Sequence, residues 1–332
     1  MHDNMKSIHH LMICLLALVS LGLTGCDRMI YSDLEPCLLE VSYRYDYNLK
    51  FADAFASQVP SVDLFIFDDQ GRAVATPLRV EGNPFAEDFS HPLQLQPGKY
   101  TLVAWAGLTD SSYALSNIRD LAQMRLAIKS SAGISDKALD HLWHGIVRRV
   151  EVKGVPGERV VIPLVKDTNT FRVQLVTTGA GVDLDPNRYE VTIASANGLL
   201  DGDNRIVPGD AITYRPYLSE RGRLSIAEDK QAVGLTCELR TGRLSENSDD
   251  RLIVTDKKSG KKLINVKLKE LIQFLKLSEY GSMPLQEYMD RQDEYVVSFV
   301  FTTSGPASDV DFLSFSIYIN GWLIREQDIS AE

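Results

Sequence analysis

Cysteine, histidine and tryptophan are scarce in this chain: four, six and three in 332 residues. Cys14 sits inside an N-terminal apolar run and Cys26 directly after it, so a processed chain keeps only Cys37 and Cys237 in its body. One pair is no disulfide framework. Cys37 and Cys237 are either an oxidised pair in an exported protein or two buried thiols acting as small hydrophobes. Beyond residue 26 only His91, His141 and His144 remain. His141 and His144 flank Leu142-Trp143 at a spacing that could face one ion, but Asp140 is the only carboxylate close by. Zinc takes three or four ligands, so a structural loop is expected there and no metal.

Positive charge is also short, with 35 basic against 45 acidic residues and a net charge of −10. Phosphate backbones require a basic footprint, which excludes a nucleic-acid role on charge. The chain has no phosphate-binding glycine loop, no dinucleotide fingerprint and no G-x-S-x-G elbow. Asp201-Gly202-Asp203-Asn204 lacks the spacing and distal glutamate of a calcium loop and reads as a turn. Glu287 and Asp290 share helical spacing, as on any acidic surface helix. Nothing here points to catalysis, a cofactor or a small-molecule substrate. There is no low-complexity tract and no solenoid repeat.

What the chain does have begins at its N-terminus. Lys6 and three histidines (His2, His9, His10) precede an uncharged run from Leu11 to Leu23, which is followed by Thr24-Gly25-Cys26. A weakly basic start, a short apolar stretch and small residues before the cut site form a secretory signal. The run is too short to cross a bilayer as a helix. Leu23-Thr24-Gly25-Cys26 resembles a bacterial lipobox, with cleavage between Gly25 and Cys26 and lipidation of Cys26. Two or three acyl chains suffice for stable membrane anchoring. The alternative is a plain secretory signal with an incidental cysteine. Removal of residues 1–25 leaves an extracytoplasmic body of 307 residues, room for two domains.

Polar residues from Asp27 to Pro36 read as a tether, placing residues 26–36 between lipid and fold. Leu39, Val41, Tyr43 and Tyr45 then alternate with polar residues, the period of a half-buried strand. Val62–Phe67 runs into Asp68-Asp69-Gln70-Gly71 and returns through Ala73-Val74 as a hairpin. Pro97-Gly98 suits the middle of a type II turn. It leads to Tyr100–Ala106, apolar on both faces and therefore central. Ser111–Gln123 suggests a short helix. Strands follow at Met124–Ile128, Ile146–Val152 and Val160–Leu164. Five polar residues, Lys166–Thr170, mark a boundary, giving units 37–166 and 167–332. Strand patterns resume at Phe171–Leu175, Tyr189–Ile193 and Val233–Leu239. Leu268, Leu271, Ile272 and Leu275 have helical spacing, and Leu285, Tyr288 and Met289 suggest a second helix. Tyr295–Phe301 and Phe315–Ile319 alternate again. Asn320-Gly321 between that strand and Trp322-Leu323-Ile324 is a strong hairpin signal. The fold class is mainly β: two consecutive antiparallel sandwiches with a few helices. Trp105, Trp143, Trp322, Tyr214 and Tyr217 are core aromatics or, if exposed, glycan platforms.

Several of these segments, in this order, resemble one family. They are Val41–Asn48 with Ala52–Phe55, Phe65–Asp68 with Gly71, Pro97–Tyr100 with Ala104–Gly107, and Leu142–Gly145. Asp167-Thr168-Asn169, Gln286–Arg291 with Glu294-Tyr295, and Ile319–Trp322 complete the set. Together they resemble the FimB-like, minor-fimbrium anchor lipoproteins of Bacteroidales over essentially the whole processed chain. The resemblance implies an outer-membrane lipoprotein with two transthyretin-like sandwiches that holds the base of a type V pilus and ends its growth. Its partners would be fimbrial stalk subunits and the outer membrane. Stalk subunits of that class lose the lipid and first strand by proteolysis and assemble by strand exchange. An anchor keeps both. Leu39, Val41 and Tyr43 would then belong to a retained first strand, and Asn320, Gly321 and Trp322 to a contact with the last stalk subunit. The alternatives are a surface glycan-binding sandwich lipoprotein, a stalk or tip fimbrillin of the same fold, and a secreted hydrolase.

Overall fold

A computed structural model describes residues 38–82, 84–177, 184–227, 230–276, 280–304, 311–319 and 322–328. For residues 225–227, 230–231, 302–304, 311–319 and 322–328 it describes the backbone alone. Cys26, Cys37 and the whole segment before Leu38 lie outside the described residues.

The first half contributes β1 (Leu38–Arg44), β2 (Ser61–Asp68), β3 (Leu78–Glu81), β4 (Ser90–Gln94) and β5 (Gly98–Ala106). It continues with β6 (Tyr113–Ser116), β7 (Arg125–Ile128), β8 (Ile134–Ser135), β9 (Trp143–Val152), β10 (Arg159–Pro163) and β11 (Val165–Lys166). The second half supplies β12 (Asn169–Thr177), β13 (Tyr189–Ser195), β14 (Leu199–Asp201), β15 (Ile212–Tyr214), β16 (Leu218–Ala227) and β17 (Lys230–Thr241). Then come β18 (Arg251–Asp256), β19 (Lys262–Lys267), β20 (Glu294–Ser304), β21 (Asp311–Ile319) and β22 (Trp322–Asp328). Three helices, α1 (Phe55–Gln58), α2 (Leu268–Lys276) and α3 (Leu285–Arg291), are short.

Near the N-terminus a three-stranded sheet, β10-β1-β4, faces a five-stranded sheet, β11-β9-β5-β2-β3. Leu39, Val41, Tyr43 and Ile162 from one meet Val62, Leu64, Ile66, Leu102 and Ala104 from the other in one apolar cluster. As both faces of β5 suggested, that strand is central, between β9 and β2. The opposite face of the same sheet places Phe65, Phe67, Val103 and Trp105 in a second cluster. This cluster runs on into the core between the six-stranded sheet β16-β17-β12-β20-β21-β22 and the five-stranded sheet β19-β18-β13-β15-β8. The halves share strands as well as core. β14 pairs with β7, and β15 with β8, across the polar run at 166–170.

Among the described residues three ladders are parallel: β1 with β10, β12 with β20, and β15 with β8. Sequence neighbours join by tight turns and are antiparallel, whereas these partners are distant in the chain and return by long connections. Both α2 and α3 form where the spacing placed them. Ser111–Gln123 is not helical. Tyr113–Ser116 pairs with β7, and Ser111 and Ser112 donate their hydroxyls to Asp140 instead of supporting a helix. Asn117, with φ 55, then turns the chain. Pro97-Gly98 is not a type II turn either, since Gly98 lacks the positive φ and already pairs with Val152 as the start of β5. The missing side chain there makes room for the Tyr100 ring, whose hydroxyl donates to Gln96 O at 2.9 Å.

Two glycines, at the ends of the segments Ala104–Gly107 and Leu142–Gly145, let the chain pass close to itself. Gly107 has φ +74, and a Cβ there would lie 2.1 Å from His141 O. At Gly145 a Cβ would lie 2.5 Å from Pro163 O. The chain can pass this closely only without side chains. Gly107→Ala combines a left-handed penalty with a backbone clash. It should cost about 2 kcal/mol or more, read as a lower urea midpoint. A midpoint within error of the parent would show that the loop at 139–142 can withdraw freely.

Candidate anchoring site

β1 is the middle strand of its sheet. Leu39 lies opposite Leu93 and Val41 opposite His91 in β4, while Val41 lies opposite Val160 and Tyr43 opposite Ile162 in β10. Its alternation sends Leu39, Val41 and Tyr43 inward, all buried. The Tyr43 hydroxyl is 2.9 Å from His91 Nε2, and its ring stacks on Phe55 at 5.4 Å. Burial, then the nearby Asp63 carboxylate, raises the Tyr43 hydroxyl, and burial lowers His91. Both groups are therefore neutral around pH 7. The strand fills its slot on both edges and on its inner face.

Past β1 the chain tightens into a loop. Tyr45 N donates to Asp53 Oδ1 at 2.9 Å, and Asn48 Nδ2 donates to Tyr45 O and Ala52 O, each at 2.9 Å. This loop borders a groove of about 710 Å³ whose walls include Tyr45, Trp143, Lys166 and Asp293. Lys166 Nζ pairs with Asp293 Oδ2 at 2.5 Å and stands 5.4 Å from the Trp143 ring centroid.

Behind the groove lies the polar run read as a boundary. Asp167, Thr168 and Asn169 are buried. Arg243 Nη1 donates to Asp167 Oδ1 and Arg243 Nη2 to Asp290 Oδ1, both at 2.9 Å. Asn204 Nδ2 reaches Asp167 Oδ1 at 2.8 Å, and Gln286 Nε2 reaches Asp290 Oδ1 at 2.9 Å. Burial pushes Asp167 up to about 6 against the pull of Arg243, and raises Asp290 likewise. Burial also opposes the Arg243 charge, yet its two carboxylates outweigh that and raise it. Sequence reading missed this triad. Its one trace was a run of polar residues between apolar strands.

The other candidates separate. His144 is fully enclosed, with Nε2 3.1 Å from Gly202 O, and burial takes it down to about 3. His141 Nδ1 lies 3.2 Å from Thr168 Oγ1, and burial, with Lys166 next, lowers it to about 4. Among the described residues no group of three or more such side chains could hold a metal. Asp201–Asn204 is a turn: Asp201 Oδ1 accepts from Asp203 N and Arg205 N, both at 2.9 Å. Glu287 pairs with Arg291 and Asp290 with Arg243. Trp105, Trp143 and Tyr214 are core residues, and Tyr217 is half-buried with its hydroxyl on Glu238. Cys237 is a buried free thiol in the core of the second half, 3.6 Å from Ser219 Oγ.

Among the described residues β22 is an edge strand of the six-stranded sheet, paired with β21 alone. Ile319 lies opposite Trp322, so the hairpin forms about 320–321. Asn320 and Gly321 themselves lie outside the described residues, and of Trp322 only the backbone is described. β1 and β22 belong to different sheets, so the two expected contact regions are not one surface.

β1 is thus a central strand with both edges paired, and β22 is, among the described residues, the last strand of its sheet. The family of fimbrillin-A-associated anchor proteins, Mfa1 and Mfa2, matches residues 33–328. The chain belongs to the Mfa2 family of fimbrial anchors. It is similar to the minor fimbrium anchoring subunit Mfa2 of Porphyromonas gingivalis, 24% identical over 97% of each chain. Among solved structures it resembles a candidate polysaccharide-binding protein from Bacteroides thetaiotaomicron. That match has 30% identity and a TM-score of 0.72, covering 88% of this chain and 98% of that one. A candidate adhesin from the same species shares 27% identity with a TM-score of 0.76, over 88% and 99%. The crystal structure of P. gingivalis Mfa2 has the same fold, with a TM-score of 0.64 over 88% and 100% at 18% identity. Membership of the Mfa2 family makes this a fimbrial anchor-type protein associated with the cell surface, with fimbrial subunits as partners, in a family of structural proteins. Among the described residues no helix is long and apolar enough to cross a membrane.

Proposed function

We propose that this Mfa2-family protein is an outer-membrane lipoprotein that holds the base of a fimbria and ends its elongation. Cys26 carries the lipid after cleavage at Gly25, and residues 26–36 are the tether. The sandwich units 37–166 and 167–332 form the body. The observation that carries this reading is the placement of β1, hydrogen-bonded on both sides and buried along its inner face. A subunit that accepts a neighbour's strand needs an empty slot. A slot filled by its own strand has no free ladder to offer. Growth can then proceed only from the other end, and we assign the contact with the last stalk subunit to the β22 edge around Asn320, Gly321 and Trp322.

The test is mass spectrometry of the N-terminus from purified outer membrane, beside a Cys26→Ala variant. The expected result is an acylated Cys26 followed by an uncut chain through residue 45, and shedding of essentially all pili by the variant. A natural N-terminus beyond β1 would make the protein a stalk or tip subunit. An acylated, uncut chain whose Cys26→Ala variant still keeps its pili on the cell would leave a glycan-binding role.

A further inference from the structure

Phe51 is 60% exposed, yet its backbone is held at φ 51. A bulky side chain in the left-handed region costs energy, and a ring this exposed recovers little of it by burial. What the conformation achieves is placement. The Arg291 guanidinium lies 4.8 Å from the Phe51 ring centroid and 3.9 Å from that of Tyr47. The cation is held between two rings presented by the loop that follows β1. A backbone bond from Leu49 N to Arg291 O at 3.2 Å ties the same loop to the same residue.

Both sides of this contact are stiff. On the loop side, Asn48 bridges Tyr45 and Ala52, and Lys50 N closes on Asn48 Oδ1 at 3.0 Å. On the other, Arg291 ends α3, where Glu287 accepts from its Nε at 2.9 Å. The corner leading into β20 is fixed by Thr170 N to Asp293 O at 2.8 Å and by the Lys166–Asp293 pair. The exit of β1 is therefore bolted to the half of the protein that carries the C-terminal hairpin.

We propose that Tyr47, Phe51 and Arg291 form a clamp that makes the first strand non-exchangeable. The proposal deepens the anchor reading and rests on it. Ladder pairing alone is reversible, because a strand can peel away from either end. With its exit clamped, β1 opens only from the Leu38 end, and each opening closes again before the strand is lost. A copy without the clamp would vacate its slot often enough to accept another strand.

The experiment uses the chain from residue 27, without lipid. It compares the parent with Arg291→Ala, Phe51→Gly and, as a control, Glu287→Gln, whose side-chain oxygen still accepts from Arg291 Nε and so keeps the guanidinium in place. Backbone hydrogen exchange is followed at residues 39–43 and, as an internal reference, at residues 171–175 of β12. In Arg291→Ala, exchange across β1 should rise roughly tenfold, the population change a partly buried cation–aromatic sandwich supports, while β12 is unchanged. Phe51→Gly separates the proposal from simple strain. Relief of strain alone would slow exchange everywhere, whereas loss of the clamp speeds it in β1 alone. A labelled peptide of residues 38–45 should be captured by Arg291→Ala and refused by the parent and by Glu287→Gln. Unchanged β1 exchange in both Arg291→Ala and Phe51→Gly, or equal acceleration of β1 and β12, would overturn the clamp. That failure is distinct from failure of the anchor reading, which is read on cells from Cys26→Ala.

Discussion

Arg243→Met should remove about 3–5 kcal/mol of stability at pH 7, the cost of leaving buried carboxylates without their cation. For a protein of ordinary stability that is about a fifth of the total or more. Asp167 is wholly buried, and Asp290 retains little exposure. Methionine fills the volume but donates nothing to either. The pH dependence has a definite sign. In the parent, burial already holds Asp167 at about 6, above its unfolded value. A carboxyl raised in the folded state favours folding most when protonated, so its contribution is best near pH 4 and declines as pH climbs towards 6. Without Arg243 both carboxyls rise further, and the decline extends to higher pH. The variant should come closest to the parent near pH 4 and fall furthest behind above pH 7. Urea unfolding followed by fluorescence of Trp105 and Trp143 measures this. Combining Arg243→Met with Asp167→Asn and Asp290→Asn should recover most of the loss, since no charge is then stranded. A loss under about 1 kcal/mol at pH 7, or a deficit that widens on acidification, would show that solvent reaches the triad.

Val41→Asp should be as damaging, and its damage should fall on the first sheet. Val41 is fully buried, with strands on both sides. An ionised carboxylate there has no partner, and desolvating it costs about 4 kcal/mol or more unless it takes up a proton. The variant should therefore unfold at lower urea at pH 7 and regain part of the difference towards pH 4. Ser42→Asp, one residue on, points to the outer face and should cost under about 1 kcal/mol. Equal losses from the two would mean that β1 is not docked by its alternating face. On the anchoring role proposed above, Val41→Asp should also weaken pilus retention on cells, because the first strand has lost its seat.

The contrast between these two substitutions marks how far the sequence could be read. Val41 was legible as buried because alternation is a local, period-two property of the chain. The strands at Tyr100–Ala106, Phe171–Leu175 and Tyr295–Phe301, and both amphipathic helices, were legible for the same reason. Ser111–Gln123 was misread because its serines bond to Asp140, far along the chain, and no local pattern carries that information. Pro97-Gly98 was misread because glycine served to admit the Tyr100 ring rather than to supply a positive φ.

The candidate site divides along the same line. The alternation of β1, the hairpin between β21 and β22 and the family itself were determined by the sequence alone, because each is written in residues that adjoin or follow in a fixed order; the resemblance of Leu23–Cys26 to a lipobox is likewise a matter of sequence alone. Which strands flank β1 was decided only by the tertiary structure. So were the burial of Asp167 beside Arg243 and Asp290, and the clasp of Arg291 between Tyr47 and Phe51. These contacts join residues from distant parts of the chain. They form only once the packing of whole sheets repays the entropy of closing the long loops between them.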